Sequence, residues 1–136
     1  TSPASISYEL QTKAIKWSQE IIESLNYIGV ICIEFFVDKY DNLFVNEIAP
    51  RVHNSGHLTI ESYNISQFQS HLRAVCDLSP IGPELKSKAQ MLNLLGEDIY
   101  RYRDQTKIEK DLYFHDYFKK EAKKGRKMGH VTKILA

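Results

Sequence analysis

Two apolar stretches on either side of a short turn-forming segment constrain the fold of this chain more than any other feature. The first, residues 27–37, is nearly all apolar and rich in β-branched and aromatic residues; the second, residues 43–49, is similar and is followed by Pro50. Between them, residues 38–42 contain Asp and Asn, which tolerate the backbone conformations of tight turns. The pattern predicts a β-hairpin. Because the first stretch is almost continuously apolar, we expect its strand to be buried on both faces.

Each strand of this predicted hairpin carries one glutamate. If residues 39–42 form the turn, Asp38 faces Leu43 and Glu34 lies directly opposite Glu47. Directly opposed Cβ atoms are about 5 Å apart, so that like charges repel each other. A divalent cation removes the repulsion, and Mg²⁺ suits the position because it takes one or two carboxylates and completes its shell with phosphate oxygens and water. The alternatives are that each glutamate pairs with a buried Arg or Lys, or that a different register sends the two carboxylates to opposite faces.

The loop after the second strand is dense in hydrogen-bond donors and possible bases. It reads Arg-Val-His-Asn-Ser-Gly-His-Leu-Thr over residues 51–59. Arg51 offers a planar fork for a carboxylate or bicarbonate, and His53 can donate to or accept from a developing oxyanion. Gly56 allows the backbone to come close to a ligand. Loops that follow strand ends often carry binding residues, and the alternative is a polar surface loop that faces water.

A third candidate site is a basic segment near the C-terminal end. Six of the twelve residues 119–130 are Lys or Arg, and glycines stand at positions 125 and 129. A phosphate-bearing substrate explains such a cluster, because the glycines permit a tight loop around the anion. An RNA-binding patch and a solvated basic loop are the alternatives. The aromatic residues lie upstream at 113–118 instead of alternating with the charges.

The rest of the chain shows helical and extended patterns in succession. Spacings of three and four residues predict a helix from about Ser7 to Asn26, with Ser5 or Ser7 as its N-cap. A second helix is expected from about Ser66 to Cys76, with Phe68, Leu72 and Val75 on its inner side. Strands are predicted at 89–95, 112–118 and 129–135, and one short helix within 97–110. The prolines and glycine of 78–83 mark the best subdomain boundary.

Composition excludes several classes of protein. With 18 basic and 17 acidic residues the formal net charge is +1, which argues against a dedicated nucleic-acid or membrane-surface protein. The chain begins with no signal peptide and has no apolar run of the roughly 20 residues that span a bilayer. Cys32 and Cys76 lie in apolar runs and outside paired motifs, so we expect buried free thiols. A cytoplasmic protein without nucleic-acid or membrane partners is the expectation.

Three segments, in this order, carry a resemblance to a known family. They read Glu-Phe-Phe-Val at 34–37, Asn-Glu-Ile-Ala-Pro-Arg-Val-His-Asn-Ser-Gly-His at 46–57 and Gly-Arg-Lys-Met-Gly-His at 125–130. The helix at 68–76 and the strand end at 93–96 match as well. The chain thereby resembles the C-terminal half of the N5-carboxyaminoimidazole ribonucleotide synthases, which are ATP-grasp enzymes. The middle motif is long and highly specific.

The resemblance implies an ATP-dependent ligase of purine biosynthesis. It would join bicarbonate to aminoimidazole ribonucleotide through carboxyphosphate, with ATP cleaved to ADP and phosphate. ATP and Mg²⁺ are the implied cofactors, and a homodimer is the implied assembly of the full-length enzyme. Carried over by position, the implied site residues are Glu34 and Glu47 for Mg²⁺–ATP with Asn46 beside them; Arg51, His53 and Asn54 at the bicarbonate and the reacting amine; and Lys119, Arg126 and Lys127 at the ribonucleotide phosphate.

The sequence departs from the family in two respects. Many ATP-grasp enzymes have an asparagine two residues after the second metal glutamate, where this chain has Ala49. The family also has an N-terminal substrate domain and an earlier ATP-grasp portion with a glycine-rich loop, and neither is found here. We therefore expect a fragment that is inactive alone.

These observations together predict an α+β fold. Residues 1–80 should form the C-terminal portion of an ATP-grasp domain, with an antiparallel sheet and helices, and residues 84–136 a small β-rich C-terminal subdomain. Three alternatives remain open: another ATP-grasp carboxylate–amine ligase, a module that binds RNA through the basic loop, and a structural or dimer-forming half-domain.

Overall fold

A computed structural model describes residues 1–103 and 109–135. The fold is α+β, as predicted, with antiparallel strand pairs and helices. Within the described residues, no helix is long and apolar enough to cross a membrane. The elements are α1 (Tyr8–Ser24), β1 (Cys32–Val37), β2 (Leu43–Ala49), a 3₁₀ turn (Asn54–Gly56), α2 (Thr59–Ser62), α3 (Gln67–Val75), β3 (Ala89–Leu95), α4 (Asp98–Arg103), β4 (Leu112–Asp116) and β5 (Lys127–Ile134).

The chain folds into two compact units. The hairpin unit comprises Ala4–His57 and Ile65–Pro83, and the sheet unit comprises Thr1–Pro3, Leu58–Asn64 and Glu84–Ala136. The division at 1–80 and 84–136 stays a prediction.

In the hairpin unit, the predicted first helix is confirmed as α1. The Ser7 side chain accepts a hydrogen bond from the Leu10 amide and so caps the first turn, as one of the two serines was expected to do. The spacing that predicted this helix places Leu10, Ala14, Trp17, Ile21 and Leu25 on one stripe. Of these residues, Leu10 is buried, whereas Leu25, just past the helix end, is 56% exposed. Trp17 lies against Phe35 of β1, with ring centroids 6.4 Å apart. The helix therefore covers the sheet face that carries Phe35.

The predicted hairpin is confirmed as the antiparallel pair β1–β2, but its turn differs from the expectation. Val37, and not Asp38, is the residue opposite Leu43, and the Asp38 amide donates to the Asn42 carbonyl over 3.0 Å. A bulge between Glu34 and Phe35 shifts the register by one residue. An extra residue in one strand compensates for the displaced turn. Glu34 consequently does face Glu47, as predicted, although the predicted route to that pairing was wrong.

The prediction that the first strand is buried on both faces is wrong. Extended structure begins at Cys32, and no residue of β1 is fully buried. Phe36 is 62% exposed and the opposing Phe44 is 53% exposed. The physical reason is that the hairpin is a two-stranded sheet with α1 on the Phe35 face, so an apolar composition alone does not produce a second covering layer.

The second predicted helix exists as α3, but its buried face differs from the prediction. Ser66 and Gln69 form a capping box at its start. Phe68, Leu72 and Val75, the expected inner residues, are 37%, 60% and 54% exposed, whereas Gln67 is 8% exposed. Neither cysteine forms a disulfide, as expected, but Cys76 at the helix end is exposed and Cys32 only half-buried. Hydrophobic spacing identified the helix and not the face that packs.

The sheet unit contains the strand order β3–β5–β4, all antiparallel. The three predicted strands are confirmed, with β5 beginning at Lys127, before the expected Gly129. Helix α4 falls within the ambiguous stretch 97–110, of which residues 104–108 lie outside the described residues. The short helix α2 was not predicted. The core of the sheet unit contains Leu94, Ile99, Met128 and Val131.

Candidate functional site

Glu34 and Glu47, which we call the acidic pair, lie on the hairpin face opposite to α1. Side chains at alternate positions of a strand share a face, so Cys32, Glu34 and Phe36 project together. Their partners across the hairpin are Ala49, Glu47 and Phe44. This face, which we call the open face, therefore presents two opposed carboxylates between a thiol and a pair of aromatic rings. The Glu34 side chain is 40% exposed, so the expectation that it is deeply buried is wrong.

An amide and an imidazole, and not a lysine or arginine, lie beside the Glu34 carboxylate. Asn46, the residue at the β-bulge, donates from its side-chain amide to Glu34 Oε2 over 3.3 Å. His53 Nε2 lies 3.5 Å from Glu34 Oε1. Throughout the described residues, no lysine or arginine nitrogen lies within 4.0 Å of the Glu34 or Glu47 carboxylate. The alternative in which each glutamate is neutralised by its own basic side chain therefore has no support in these contacts.

His53 is oriented by its neighbours in the loop. Its Nδ1 accepts from the Ser55 amide over 3.3 Å and lies 2.8 Å from Ser55 Oγ. A ring nitrogen that accepts from an amide carries no proton, so the neutral ring has its proton on Nε2, facing Glu34. Ser55 Oγ also lies 3.7 Å from Cys32 Sγ. Burial raises the pKa of the Cys32 thiol, the Ser55 contact opposes that rise, and the nearby carboxylates add to it.

Gln67 holds this loop in place, a role that the sequence analysis missed. Its Oε1 accepts from the His53 amide over 2.9 Å, and its Nε2 donates to the His53 carbonyl over 2.8 Å. The same Nε2 lies 2.8 Å from His57 Nδ1. A Cβ on Gly56 would lie 2.5 Å from Gln67 Oε1, so packing inside the loop also requires a glycine at this position. The sequence offered one sign of this role, because Gln67 is a polar residue that directly follows the capping serine Ser66.

Two further predicted residues lie in the same loop. Arg51 is exposed, and its Nη1 donates to the Val52 carbonyl over 3.0 Å. Asn54 begins the 3₁₀ turn and is half-buried, and its carbonyl accepts from the His57 amide over 3.1 Å. The structure thus brings Glu34, Asn46 and His53 into contact, and places Arg51 and Asn54 in the adjoining loop.

The predicted phosphate-binding residues belong to the sheet unit. Lys119 Nζ donates to the Lys127 carbonyl over 2.6 Å, so the two ends of the basic loop meet. Arg126 is exposed, and its carbonyl accepts from the Gly96 amide. Gly125 has a φ of +74°, a conformation that glycine adopts without strain. An adjacent cleft of about 560 Å³ is lined by Lys124 and Gly125 among others. Lys119, Arg126 and Lys127 do not line it.

Two family models and several known proteins match this chain. Residues 1–68 match the ATP-grasp domain, and residues 89–136 match the phosphoribosylaminoimidazole carboxylase C-terminal domain. The N5-carboxyaminoimidazole ribonucleotide synthase of Brucella melitensis is 45% identical over 134 residues, which are 98% of this chain and 37% of the relative. The chain therefore spans little more than a third of that relative's length.

Solved structures of the same family superpose closely on the chain. The ADP complex of an N5-carboxyaminoimidazole ribonucleotide synthetase has a TM-score of 0.93 at 39% identity, covering 98% of this chain and 36% of the other. The Aspergillus clavatus N5-carboxyaminoimidazole synthase in complex with ADP and 5-aminoimidazole ribonucleotide has a TM-score of 0.88 at 34% identity, covering 97% and 37%. The chain belongs to the ATP-grasp family, within the group formed by the N5-carboxyaminoimidazole ribonucleotide synthases.

Proposed function

We propose that this chain supplies the Mg²⁺–nucleotide-binding hairpin and part of the substrate pocket of an ATP-dependent ligase. That ligase carboxylates 5-aminoimidazole ribonucleotide with bicarbonate, through carboxyphosphate, to N5-carboxyaminoimidazole ribonucleotide. The observation that carries the proposal is the opposed pair Glu34 and Glu47 on the open face, where no lysine or arginine of the described residues lies within 4.0 Å of either carboxylate. Because the chain spans about a third of its relatives' length, the complete activity is proposed for a protein of their size.

The donor set on the hairpin fits Mg²⁺. Two carboxylates on directly opposed residues are the hard oxygen ligands that this ion takes from proteins, with phosphate and water completing the shell. Glu34 and Glu47 would hold the ion, and Asn46 would orient Glu34 through its amide. When bound, the ion neutralises charge on the transferring phosphoryl group.

The loop residues would handle bicarbonate and the reacting amine. Arg51 is placed to bind an oxyanion through its planar guanidinium group. His53, with its proton on Nε2 and its backbone held by Gln67, would donate to charge that develops beside Glu34. Asn54 would position the amine. Lys119, Arg126 and Lys127 would bind the ribonucleotide phosphate.

The experiment is a chimera in which this chain replaces the corresponding part of the Brucella melitensis synthase. We expect Mg²⁺-dependent ADP formation that requires both bicarbonate and aminoimidazole ribonucleotide. Glu34→Gln or Glu47→Gln should reduce kcat at least about 100-fold, the effect of losing one transition-state electrostatic partner. Glu23→Gln, an exposed glutamate of α1, is the matched control and should leave kcat unchanged.

Two outcomes would contradict the proposal. A folded chimera that hydrolyses ATP without aminoimidazole ribonucleotide, or uses another amine better, would point to a different ATP-grasp ligase. Full activity in Glu34→Gln would remove the metal role. The chain alone should show no substrate-stimulated ATP hydrolysis. The homodimer stays a prediction, and light scattering of the chimera measures it.

A further inference from the structure

The open face carries a second possible metal-binding set that involves sulfur. Cys32 and Glu34 stand two residues apart on β1 and project to the same side. One ligand atom from each of Cys32, Glu34 and His53 lies within 4.8 Å of the others. The shortest recorded separation in the set is 3.5 Å, between His53 Nε2 and Glu34 Oε1.

The chemistry of this set differs from that of the acidic pair. A thiol, an imidazole and a carboxylate offer sulfur, nitrogen and oxygen, a mixture that Zn²⁺ accepts at about 2.0–2.3 Å from each donor. Mg²⁺ instead takes oxygen ligands almost exclusively. Tetrahedral coordination at those bond lengths needs donor atoms roughly 3.3–3.6 Å apart. The His53–Glu34 separation of 3.5 Å already falls in that range, and the Cys32 sulfur lies within 4.8 Å of both other ligand atoms.

Hydrogen bonds from neighbouring residues orient the ligands of this set. Ser55 Oγ lies against the remote His53 nitrogen at 2.8 Å and 3.7 Å from Cys32 Sγ, so one hydroxyl orients two of the three ligands. Partners of this kind orient histidine ligands in metal sites. The Gln67 amide fixes the His53 backbone through both its N–H and its carbonyl. The position of the His53 ligand is therefore fixed through its backbone before any metal binds.

We propose that Cys32, Glu34 and His53 form a binding site for a borderline-soft divalent cation of the Zn²⁺ class, with water at the fourth position. Binding replaces the thiol proton by a sulfur–metal bond and releases that proton to solvent. The His53 ring proton moves from Nε2, which binds the metal, to Nδ1, where Ser55 Oγ at 2.8 Å accepts it in place of the 3.3 Å contact from the Ser55 amide. Since the same Glu34 and His53 serve the proposed ligase, an occupied site excludes Mg²⁺–nucleotide and inhibits the enzyme. This inhibition rests on the proposed function, whereas the binding itself does not.

The direct test uses Co²⁺ and Zn²⁺ with the full chain in the absence of nucleotide. We expect one equivalent of Co²⁺ to produce a sulfur-to-cobalt charge-transfer band and the visible spectrum of a tetrahedral site, both abolished by Zn²⁺. Cys32→Ser and Cys32→Ala should lose the charge-transfer band and weaken Zn²⁺ binding at least about tenfold, and Ser55→Ala should weaken it by about tenfold. Cys76→Ser is the matched control because it removes the other free thiol, and its spectrum should equal that of the unchanged chain. Circular dichroism checks that each variant is folded.

Three results would overturn the site. The charge-transfer band could be absent in the unchanged chain, it could survive in folded Cys32→Ser, or it could disappear in Cys76→Ser. The inhibition is tested in the chimera, where Zn²⁺ should inhibit the unchanged form at least about tenfold more strongly than Cys32→Ser. Equal inhibition would overturn the regulatory role and leave the binding result standing. An inactive chimera would contradict the proposed function, and the cobalt titration would still decide the metal site.

Discussion

Gln67 hydrogen-bonds to both backbone polar groups of His53: its side-chain oxygen accepts from the His53 amide and its side-chain nitrogen donates to the His53 carbonyl. A glutamine from the first turn of α3 therefore fixes the backbone of a histidine that lies beside the acidic pair. Gln67 is 8% exposed, and both hydrogen bonds are partly buried. The position of His53 depends on a residue that need not contact any substrate.

Replacing Gln67 by Leu should therefore destabilise the hairpin unit. The change removes both hydrogen bonds and leaves buried backbone groups unsatisfied, at about 1–3 kcal/mol for each group. Urea denaturation followed by the fluorescence of Trp17, which lies in the same unit, measures the loss. Gln19→Leu on the exposed side of α1 is the control and should change the free energy of unfolding by less than about 0.5 kcal/mol. Equal effects of the two variants would show that the hydrogen bonds to His53 contribute nothing.

Gly56 should tolerate no side chain while Gln67 is present. An alanine Cβ would lie 2.5 Å from Gln67 Oε1, so Gly56→Ala should lower the free energy of unfolding by about 1–3 kcal/mol through overpacking. Gly82→Ala, where a Cβ meets nothing within 4 Å, is the matched control. In Gln67→Ala the obstructing amide is gone, so the added cost of Gly56→Ala should largely disappear in the double variant. Simple additivity of the two changes would rule out this contact as the cause.

The Arg103–Asp116 pair of the sheet unit should make stability depend on acid pH. Two hydrogen bonds, from Arg103 Nε over 2.7 Å and from Nη2 over 2.9 Å, hold the pKa of the Asp116 carboxyl below its ordinary 3.8, and the Phe118 amide assists. A carboxyl group with a lowered pKa in the folded state stabilises that state above its unfolded pKa. This contribution should be complete above about pH 4 and should be lost as the pH falls through the folded value.

Carboxyl carbon chemical shifts of Asp116, followed by NMR during acid titration, measure this effect. Arg103→Gln should move the pKa of Asp116 upward toward its ordinary value, whereas Arg101→Gln on the same helix should leave it unchanged. A midpoint that does not respond to Arg103→Gln would assign the lowered pKa to the Phe118 amide alone.

Arg126 should contribute to substrate affinity and not to metal or nucleotide binding. If it contacts the ribonucleotide phosphate, Arg126→Ala in the chimera removes a charge-assisted hydrogen bond worth about 1.5–3 kcal/mol. The KM for aminoimidazole ribonucleotide should then rise by roughly 10–100-fold while Mg²⁺–ADP binding is retained. Lys86→Ala, an exposed lysine of the same unit, should change neither quantity. An unchanged KM in Arg126→Ala would exclude the phosphate contact.

The elements themselves were predictable because they follow from short-range properties of the chain. The Ser7 cap, the apolar spacing of α1 and the Asp and Asn residues of the turn act over a few positions. The cap and the helix are confirmed, and the Asp and Asn residues do form the turn, although the predicted turn was one residue out of place. The opposition of Glu34 and Glu47 was also predicted, although through a turn one residue out of place. The bulge that corrects the register was not predictable, because an extra residue in one strand has no compositional sign.

The sequence by itself determined the α+β elements, the acidic hairpin and the motifs that identify the family. Only the tertiary structure decided which faces are covered: in α3 the amide of Gln67 is buried while Phe68 and Leu72 remain exposed, because burial depends on what packs against a helix and not on its own periodicity. It also decided that Cys32, Glu34 and His53 converge, since a strand residue and a loop residue meet only when the chain folds back upon itself. Local propensity fixes elements, whereas contacts between distant residues fix sites.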